Sequence, residues 1–196
     1  MAAAPVLTLN PALAAIEEEL EQVKREVAGI VSGMSEAEFR WQPAPDRWSI
    51  SQHLGHLTLS AIEGFPRFDR AIADARRRKL YGAGPFRYGL LTGMALWFIE
   101  PPPKRFVKTS AQYTAPTDTP MMQVIEEFSD AQEGLLDRLY QCQGLDLARA
   151  KVESPMPGFR IELGAGFALL AAHERRHLWH VRRMLPELRS AVNRAG

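Results

Sequence analysis

The segment from His173 to His180, HERRHLWH, contains three of the five histidines in this 196-residue chain. It matches the pattern H-E-x-x-H, in which two histidines one helical turn apart bind zinc and the glutamate activates a metal-bound water. The residue types therefore raise two questions. The first is whether the histidines bind a metal ion, and the second is whether the glutamate makes the site a peptidase.

These histidines share one face of a predicted helix. His177 lies about 40° from His173 around the helix axis, and His180 about 20° on the other side. The same face carries an apolar stripe: Phe167, Leu170, Val181 and Met184. An unpaired buried polar group costs about 1–3 kcal/mol, so packing alone is a poor explanation for three histidines in a column. The alternative is hydrogen bonding to backbone carbonyls or to acidic residues such as Glu174 or Glu63.

Two further histidines, His53 and His56, lie on the second predicted helix. His56 is adjacent to Leu57 at the edge of an apolar stripe, so we expect it to face the fourth helix. A histidine pair spaced by four residues plus one histidine from another helix gives three nitrogen ligands and an open coordination position. That arrangement suits catalysis better than a purely structural metal site.

The peptidase hypothesis has less support. The one carboxylate downstream of His177 is Glu187, and no H-x-x-G-x-x-H extension follows the histidine pair. Glu174 lies about 100° around the helix from His173. Because arginines flank it on the C-terminal side, we expect Glu174 at the surface.

Composition excludes several functional classes. The net charge is +1, which gives no electrostatic case for nucleic-acid binding. The basic run ARRRKL, from Ala75 to Leu80, is typical of a solvated helix end. A single cysteine, Cys142, fits a reducing cytosol. The N-terminus lacks the basic region of a signal peptide, and the apolar segment Tyr88–Ile99 is shorter than the ~20 residues that span a bilayer. We therefore expect a soluble, cytoplasmic protein with neither a membrane nor a nucleic acid as partner.

The elements that must position the histidines are four amphipathic helices. We predict them at about Pro11 to Ser32, from Ser49 past Ile72, at about Pro120 to Gln141, and at about Gly166 to Met184, where Pro186 ends the last one. Ser49 and Gln52 form a capping-box pattern at the start of the second helix. A short extra helix at about Phe86 to Phe98 precedes a long connection. Residues 1–196 are therefore predicted to form a single all-α domain, a four-helix bundle with long connections between helices 2, 3 and 4.

Two separated stretches resemble a known family, the DinB-like (YfiT-like) superfamily of four-helix metalloproteins. RWSISQHLGHL, from Arg47 to Leu57, resembles its pattern of a tryptophan, a Ser or Thr helix cap, and a histidine eight residues after the tryptophan. AAHERRHLWHVRRM, from Ala171 to Met184, resembles its last-helix pattern H-x-x-x-H-x-x-Q. The stretch EPPPKRFVKTSAQYTAP is similar to the proline-rich connection before its third helix.

The resemblance implies a site in which His56, His173 and His177 bind a divalent transition metal, with zinc, nickel and iron as candidates. His53 does not match a ligand position, and we expect it to pack under Trp48. His180 stands where the family usually has glutamine. We favour a role for His180 in hydrogen bonding around the ligands, and a proton shuttle or an extra ligand remains an alternative.

The same resemblance implies several activities, since some relatives are thiol-dependent transferases and others are presumed hydrolases. We favour a metal-dependent enzyme that transfers a low-molecular-weight thiol to an electrophilic substrate. One alternative is a metal-dependent hydrolase in which Glu174 or His180 is the catalytic base. Another is a non-catalytic metal-binding protein of stress response or sensing. The family also suggests a homodimer.

A thiol such as glutathione carries carboxylates, so cationic side chains near the pocket would help to bind it. The candidates are Arg47, Lys104, Arg105 and Arg176, and the alternative is that they are ordinary surface charges. Three aromatic residues are candidates for an apolar substrate wall: Tyr88, Trp97 and Phe98. The alternative for these is bundle core or a dimer face.

Overall fold

The computed structural model describes residues 9–102, 118–154 and 158–195, which form six helices and one two-stranded sheet. The helices are α1 (Pro11–Val31), α2 (Glu36–Arg40), α3 (Ile50–Arg77), α4 (Leu90–Ile99), α5 (Met121–Gln141) and α6 (Leu163–Ala195). The strands β1 (Lys151–Glu153) and β2 (Arg160–Glu162) pair antiparallel.

The four long helices α1, α3, α5 and α6 form a bundle. Both α1 and α3 pack against α5 and α6, so that α1 lies diagonally across from α3, and α5 from α6. This arrangement confirms the predicted all-α four-helix bundle. The short helix α4 packs outside the bundle against α6. Across the described residues, no helix has both the length and the apolar character needed to cross a bilayer.

The start of α3 is fixed by a reciprocal cap. The Ser49 hydroxyl accepts a hydrogen bond from the Gln52 amide at 3.2 Å, and the Gln52 side-chain oxygen accepts one from the Ser49 amide at 3.0 Å. The side chain of Gln42 donates to the same Gln52 oxygen at 2.8 Å. Two otherwise unpaired amides gain partners in this way. The cap holds His53 and His56 in the first two turns of α3.

The bundle core consists of two apolar clusters. One includes Leu20, Phe68, Leu135 and Phe167, and the other includes Val27, Leu54, Phe128, Leu178 and Leu188. Along α5, Gln132 lies between residues of the two clusters, and Glu174 does so along α6. A polar pair therefore interrupts the apolar interior of the bundle.

The structure differs from the prediction in three features. The fourth long helix does not end at Met184 but continues through Pro186 to Ala195. Burial of Leu188, 4% exposed, stabilises the turns after the proline. The short helix begins at Leu90 rather than Phe86. The hairpin of β1 and β2 was not predicted, because each strand has only three residues and is too short to show a pattern. Most of the proline-rich connection, residues 103–117, lies outside the described residues.

Candidate metal centre

Three histidines from two helices converge inside the bundle. Nε2 of His173 lies 3.2 Å from Nε2 of His56 and 3.1 Å from Nε2 of His177. One ligand atom from each of the three residues lies within 4.8 Å of the other two. In the described part of the chain, this is the one group of three or more potential ligands that could bind a metal ion. The structure thus brings together His56, His173 and His177, the three residues proposed as ligands.

The geometry of these nitrogens fits a metal ion better than a hydrogen-bonded cluster. An imidazole nitrogen carries either one hydrogen or one lone pair. Nε2 of His173 therefore cannot form good hydrogen bonds to both neighbouring nitrogens. In a tetrahedral zinc site with Zn–N bonds of about 2.0–2.1 Å, ligand nitrogens lie about 3.3 Å apart. The observed separations of 3.1 and 3.2 Å are close to that value.

The protonation of the site also suits metal binding. Burial, with the nearby His56 and Arg176 as further causes, lowers the pKa of His173 to about 3. Burial likewise lowers the pKa of His177 well below its usual value. Both imidazoles are therefore neutral at physiological pH. A neutral imidazole has the lone pair that a metal ligand needs.

His53 has a role that the sequence did not predict. The expected contact with Trp48 is present, with ring centroids 5.3 Å apart. In addition, Nδ1 of His53 lies 2.9 Å from Nδ1 of His177. If Nε2 of His177 binds a metal, its Nδ1 carries the hydrogen and donates it to His53. Such a hydrogen bond fixes the tautomer and orientation of a ligating histidine. The spacing of His53 and His56, three residues apart on one helix, was the available signal.

Trp48 covers the histidine cluster. Its indole stacks on the ring of His177, with centroids 5.8 Å apart and an interplanar angle of 24°. It also contacts His56, with centroids 5.0 Å apart. An indole in this position excludes water from one side of the cluster. Trp48 directly precedes the Ser49 cap, so the cap that begins α3 also fixes this cover.

His180 lies beside His53 and is partly exposed. The two rings stack with centroids 5.9 Å apart and an interplanar angle of 9°. Trp179 contacts the His180 ring edge-on, with centroids 4.9 Å apart. Burial lowers the pKa of His180, and so do the positive charges of Arg176, Arg183 and Arg47. His180 thus lies within the electrostatic reach of three arginines.

The predicted surface position of Glu174 is wrong. Its side chain is 2% exposed and accepts a hydrogen bond from Gln132 of α5, with Nε2 and Oε1 2.8 Å apart. Burial raises the pKa of Glu174 to about 7, although the bond from Gln132 and the charge of Arg175 act in the opposite direction. The second carboxylate oxygen is buried and has no hydrogen-bond partner among the described residues. A candidate catalytic base thus occupies the interior of the bundle.

The other candidate residues are dispersed. Arg47 donates to both oxygens of Glu187 at 2.8 and 3.1 Å, which places Glu187 in an ion pair. Lys104 and Arg105 lie outside the described residues. Of the aromatic candidates, Trp97 is 57% exposed and Phe98 46% exposed, and Tyr88 is half-buried. Residues of α4 therefore contribute exposed apolar surface next to α6, as either a substrate wall or a dimer face would require.

Cys142 is a core residue. It caps the C-terminus of α5 and is fully buried. Its Sγ donates to the Arg138 carbonyl at 3.2 Å. Burial raises the pKa of the thiol to about 12, so it is protonated at neutral pH. A protonated buried thiol is a poor nucleophile.

Comparisons with known proteins agree with this arrangement. No curated protein is significantly similar in sequence. Among solved structures, the chain is similar to YfiT from Bacillus subtilis, which is described as a probable metal-dependent hydrolase with an unusual four-helix bundle topology. The TM-score is 0.57 at 14% sequence identity, and the match covers 97% of this chain and 94% of YfiT. Residues 19–181, which include all five histidines, match the family model of the DinB superfamily. On this evidence the chain belongs to the DinB superfamily.

Proposed function

We propose that this protein is a metal-dependent enzyme that transfers a low-molecular-weight thiol to an electrophilic substrate. His56, His173 and His177 hold a divalent transition metal ion, for which zinc, nickel and iron are the candidates. The observation that carries the proposal is the convergence of three imidazoles from two helices on one point. When bound there, the metal lowers the pKa of a thiol or water at its open position, so that a nucleophile exists at neutral pH.

Charge beside the site favours an anionic thiol over water alone. Besides burial, the charges of Arg176, Arg183 and Arg47 lower the pKa of His180. Because Arg47 is bound to Glu187, Arg176 and Arg183 are the candidates for contact with a ligand. The guanidinium of Arg183 lies over the Trp179 ring, 4.9 Å from its centroid. Guanidinium groups bind carboxylates through paired hydrogen bonds. A thiol with carboxylates, such as glutathione, is therefore a better fit to this side of the site than an uncharged thiol.

The transfer itself needs only the thiol and the electrophile. The S–H bond of the thiol breaks and its proton passes to solvent. The sulfur then forms a bond to the electrophilic carbon, and the leaving group departs with the electron pair of its bond to that carbon. The protein contributes orientation of the two reactants and exclusion of water on the Trp48 side.

The proposal is tested by adding glutathione to cobalt-loaded protein and recording the absorption spectrum. A cobalt–thiolate band is expected to appear and saturate, because the open position accepts the sulfur. S-methylglutathione, which has the same charges but no free thiol, serves as the control and is expected to give no band. Activity is then followed with 1-chloro-2,4-dinitrobenzene and glutathione, where we expect metal-dependent release of chloride.

If the protein is instead a metal-dependent hydrolase, its activity should not require a thiol. The observation that supports this alternative is the buried carboxyl of Glu174, one residue from His173. A hydrolase would cleave esters or amides without thiol and would release no chloride from 1-chloro-2,4-dinitrobenzene in the presence of glutathione. That pair of results would refute thiol transfer. Loss of hydrolysis in the Glu174→Gln variant would then identify Glu174 as the catalytic base.

His53 is expected to contribute to metal affinity without being a ligand. Its contact with Nδ1 of His177 orients that ligand, and removal of such a partner typically costs about 10–100-fold in affinity. We therefore expect His53→Ala to weaken zinc binding by about that factor, measured by competition with a chromophoric chelator. His53→Gln, which can still accept the hydrogen bond, is expected to recover part of the loss. Unchanged affinity in His53→Ala would contradict this role.

A further inference from the structure

A concave site lies between α3 and the β1–β2 hairpin. The groove has a volume of about 410 Å³, within the range of small-molecule pockets. Its walls carry five cationic side chains: Arg67, Arg70, Arg77, Lys151 and Arg160. Two carboxylates, Asp74 and Glu153, also line it. None of these residues belongs to the metal centre.

Positive charge is concentrated in this groove. Its lining has an excess of three positive charges, whereas the whole chain has a net charge of only +1. The rest of the protein is therefore slightly acidic. Two of the lining cations, Arg67 and Lys151, form ion pairs with Glu63 and Glu162, which do not line the groove. A concave site with an excess of one sign of charge raises the local concentration of counter-ions. The hydrogen bond and charge of Arg70, together with the charges of Arg160 and Arg67, lower the pKa of Glu153 although burial opposes them.

The arginines of the groove retain donors for a ligand. Arg70 contacts Glu153 through Nη2 at 2.8 Å, and Arg160 contacts the Lys151 carbonyl through Nη2 at 3.2 Å. Arg77 reaches Asp74 through the same atom. A guanidinium has five N–H donors, so one contact through Nη2 uses a minority of them. Exposed ion pairs contribute at most about 1 kcal/mol, and an anionic ligand can displace them.

The spacing of the cations indicates a ligand with more than one anionic group. Arg67, Arg70 and Arg77 extend over about 15 Å of α3, and Arg160 faces them from the hairpin. A single phosphate is too small to contact all of them. Arg67 also lies about 16 Å along the helix from His56, so the groove is separate from the metal centre.

We propose that this groove binds a small polyanion with at least two phosphate groups. Paired guanidinium–phosphate hydrogen bonds are the contacts that this set of side chains supports best. The proposal goes beyond the thiol-transfer function and does not depend on it. Because the side chains are exposed, binding is expected to weaken as salt concentration rises.

The test is isothermal titration calorimetry of metal-loaded protein with inorganic tripolyphosphate. Wild-type protein is expected to show one saturable site. The double variant Arg70→Gln, Arg160→Gln is expected to weaken binding by at least about tenfold, since hydrogen bonds to charged groups are lost. Glu153→Gln is expected to strengthen binding, because it removes the carboxylate that competes for Arg70. Arg25→Gln is the control, since Arg25 lies on α1 and has a similarly exposed side chain, 53% against 62% for Arg70.

Several results would overturn the proposal. Absence of saturable binding would do so, as would equal weakening by Arg25→Gln, which would indicate a general charge effect. Weakened binding in Glu153→Gln would place the ligand elsewhere. His173→Ala, which lacks a metal ligand, is expected to keep its tripolyphosphate affinity, and loss of affinity would move the site to the metal centre. If the protein bound a single-stranded oligonucleotide but not tripolyphosphate, the ligand of the groove would be a nucleic acid rather than a small polyanion.

Discussion

His173→Ala is expected to lower zinc affinity by more than about 100-fold and to abolish metal-dependent activity. His173 is the central member of the cluster, since its Nε2 lies within 3.2 Å of Nε2 in both His56 and His177. Loss of a partner that only orients a ligand costs about 10–100-fold, so loss of a ligand should cost more. Competition with a chromophoric chelator measures the affinity directly.

His180→Ala is the matched control for this prediction. His180 lies on the same helix, stacks on His53, and is not one of the three converging histidines. We expect its replacement to change zinc affinity by less than about tenfold. Wild-type affinity in His173→Ala, together with a large loss in His180→Ala, would show that the metal binds to a different set of histidines.

Glu174→Gln is expected to stabilise the metal-free protein at high pH relative to the wild type. The pKa of Glu174 is about 7 in the folded protein, against an ordinary value of 4.5. Because burial favours the neutral carboxyl, its contribution to the stability of the wild type is complete below the pKa of the unfolded chain. That contribution is lost as the pH rises through the pKa of the folded protein. Glutamine has no proton to lose. As the pH rises from about 5 to about 8, the free energy of unfolding of the variant should therefore increase by roughly 2–3 kcal/mol relative to that of the wild type.

Chemical denaturation of chelator-treated protein at both pH values measures this difference. The buried histidines titrate in the opposite direction, since their lowered pKa values cost stability as pH falls below their ordinary value. They are common to both proteins and cancel in the comparison. Glu127→Gln, at an exposed site on α5, makes the same chemical change and serves as the control. A difference that stays constant with pH in Glu174→Gln would mean that its carboxyl titrates normally.

The bundle and its histidine column were predictable from the sequence because both depend on helical periodicity. Apolar residues at three- and four-residue steps identify the long helices, and the same arithmetic puts His173 and His177 on the inward face. Ser49 and Gln52 were identifiable as a cap from residue type and spacing alone, and the structure shows both of their hydrogen bonds. Local chemistry therefore predicted most of what positions the site.

Glu174 shows where that reasoning fails. A helix in a four-helix bundle faces two neighbours and the diagonal partner, so it buries a wider arc than one apolar stripe suggests. A residue 100° from His173 still lies inside that arc. The partner that makes burial tolerable, Gln132, is 42 residues away in sequence and belongs to another helix. Its proximity depends on tertiary packing, which spacing within one helix cannot reveal.

The contact between His53 and His177 also depends on tertiary packing. Their Nδ1 atoms are 124 residues apart in sequence and meet only when α3 and α6 pack together. Pro186 illustrates a different limit, since a proline usually ends a helix. Here burial of Leu188 in the second apolar cluster outweighs the lost hydrogen bond.

The most direct test of the metal centre is the metal content of the wild-type protein. The protein is incubated with zinc, freed of unbound metal by desalting, and analysed for metal and protein in the same sample. Three imidazoles that converge on one point predict about one zinc ion per chain. A chain that emerges without zinc, and that also fails to retain nickel or iron, would contradict the metal centre and leave the histidines as a buried hydrogen-bonded cluster.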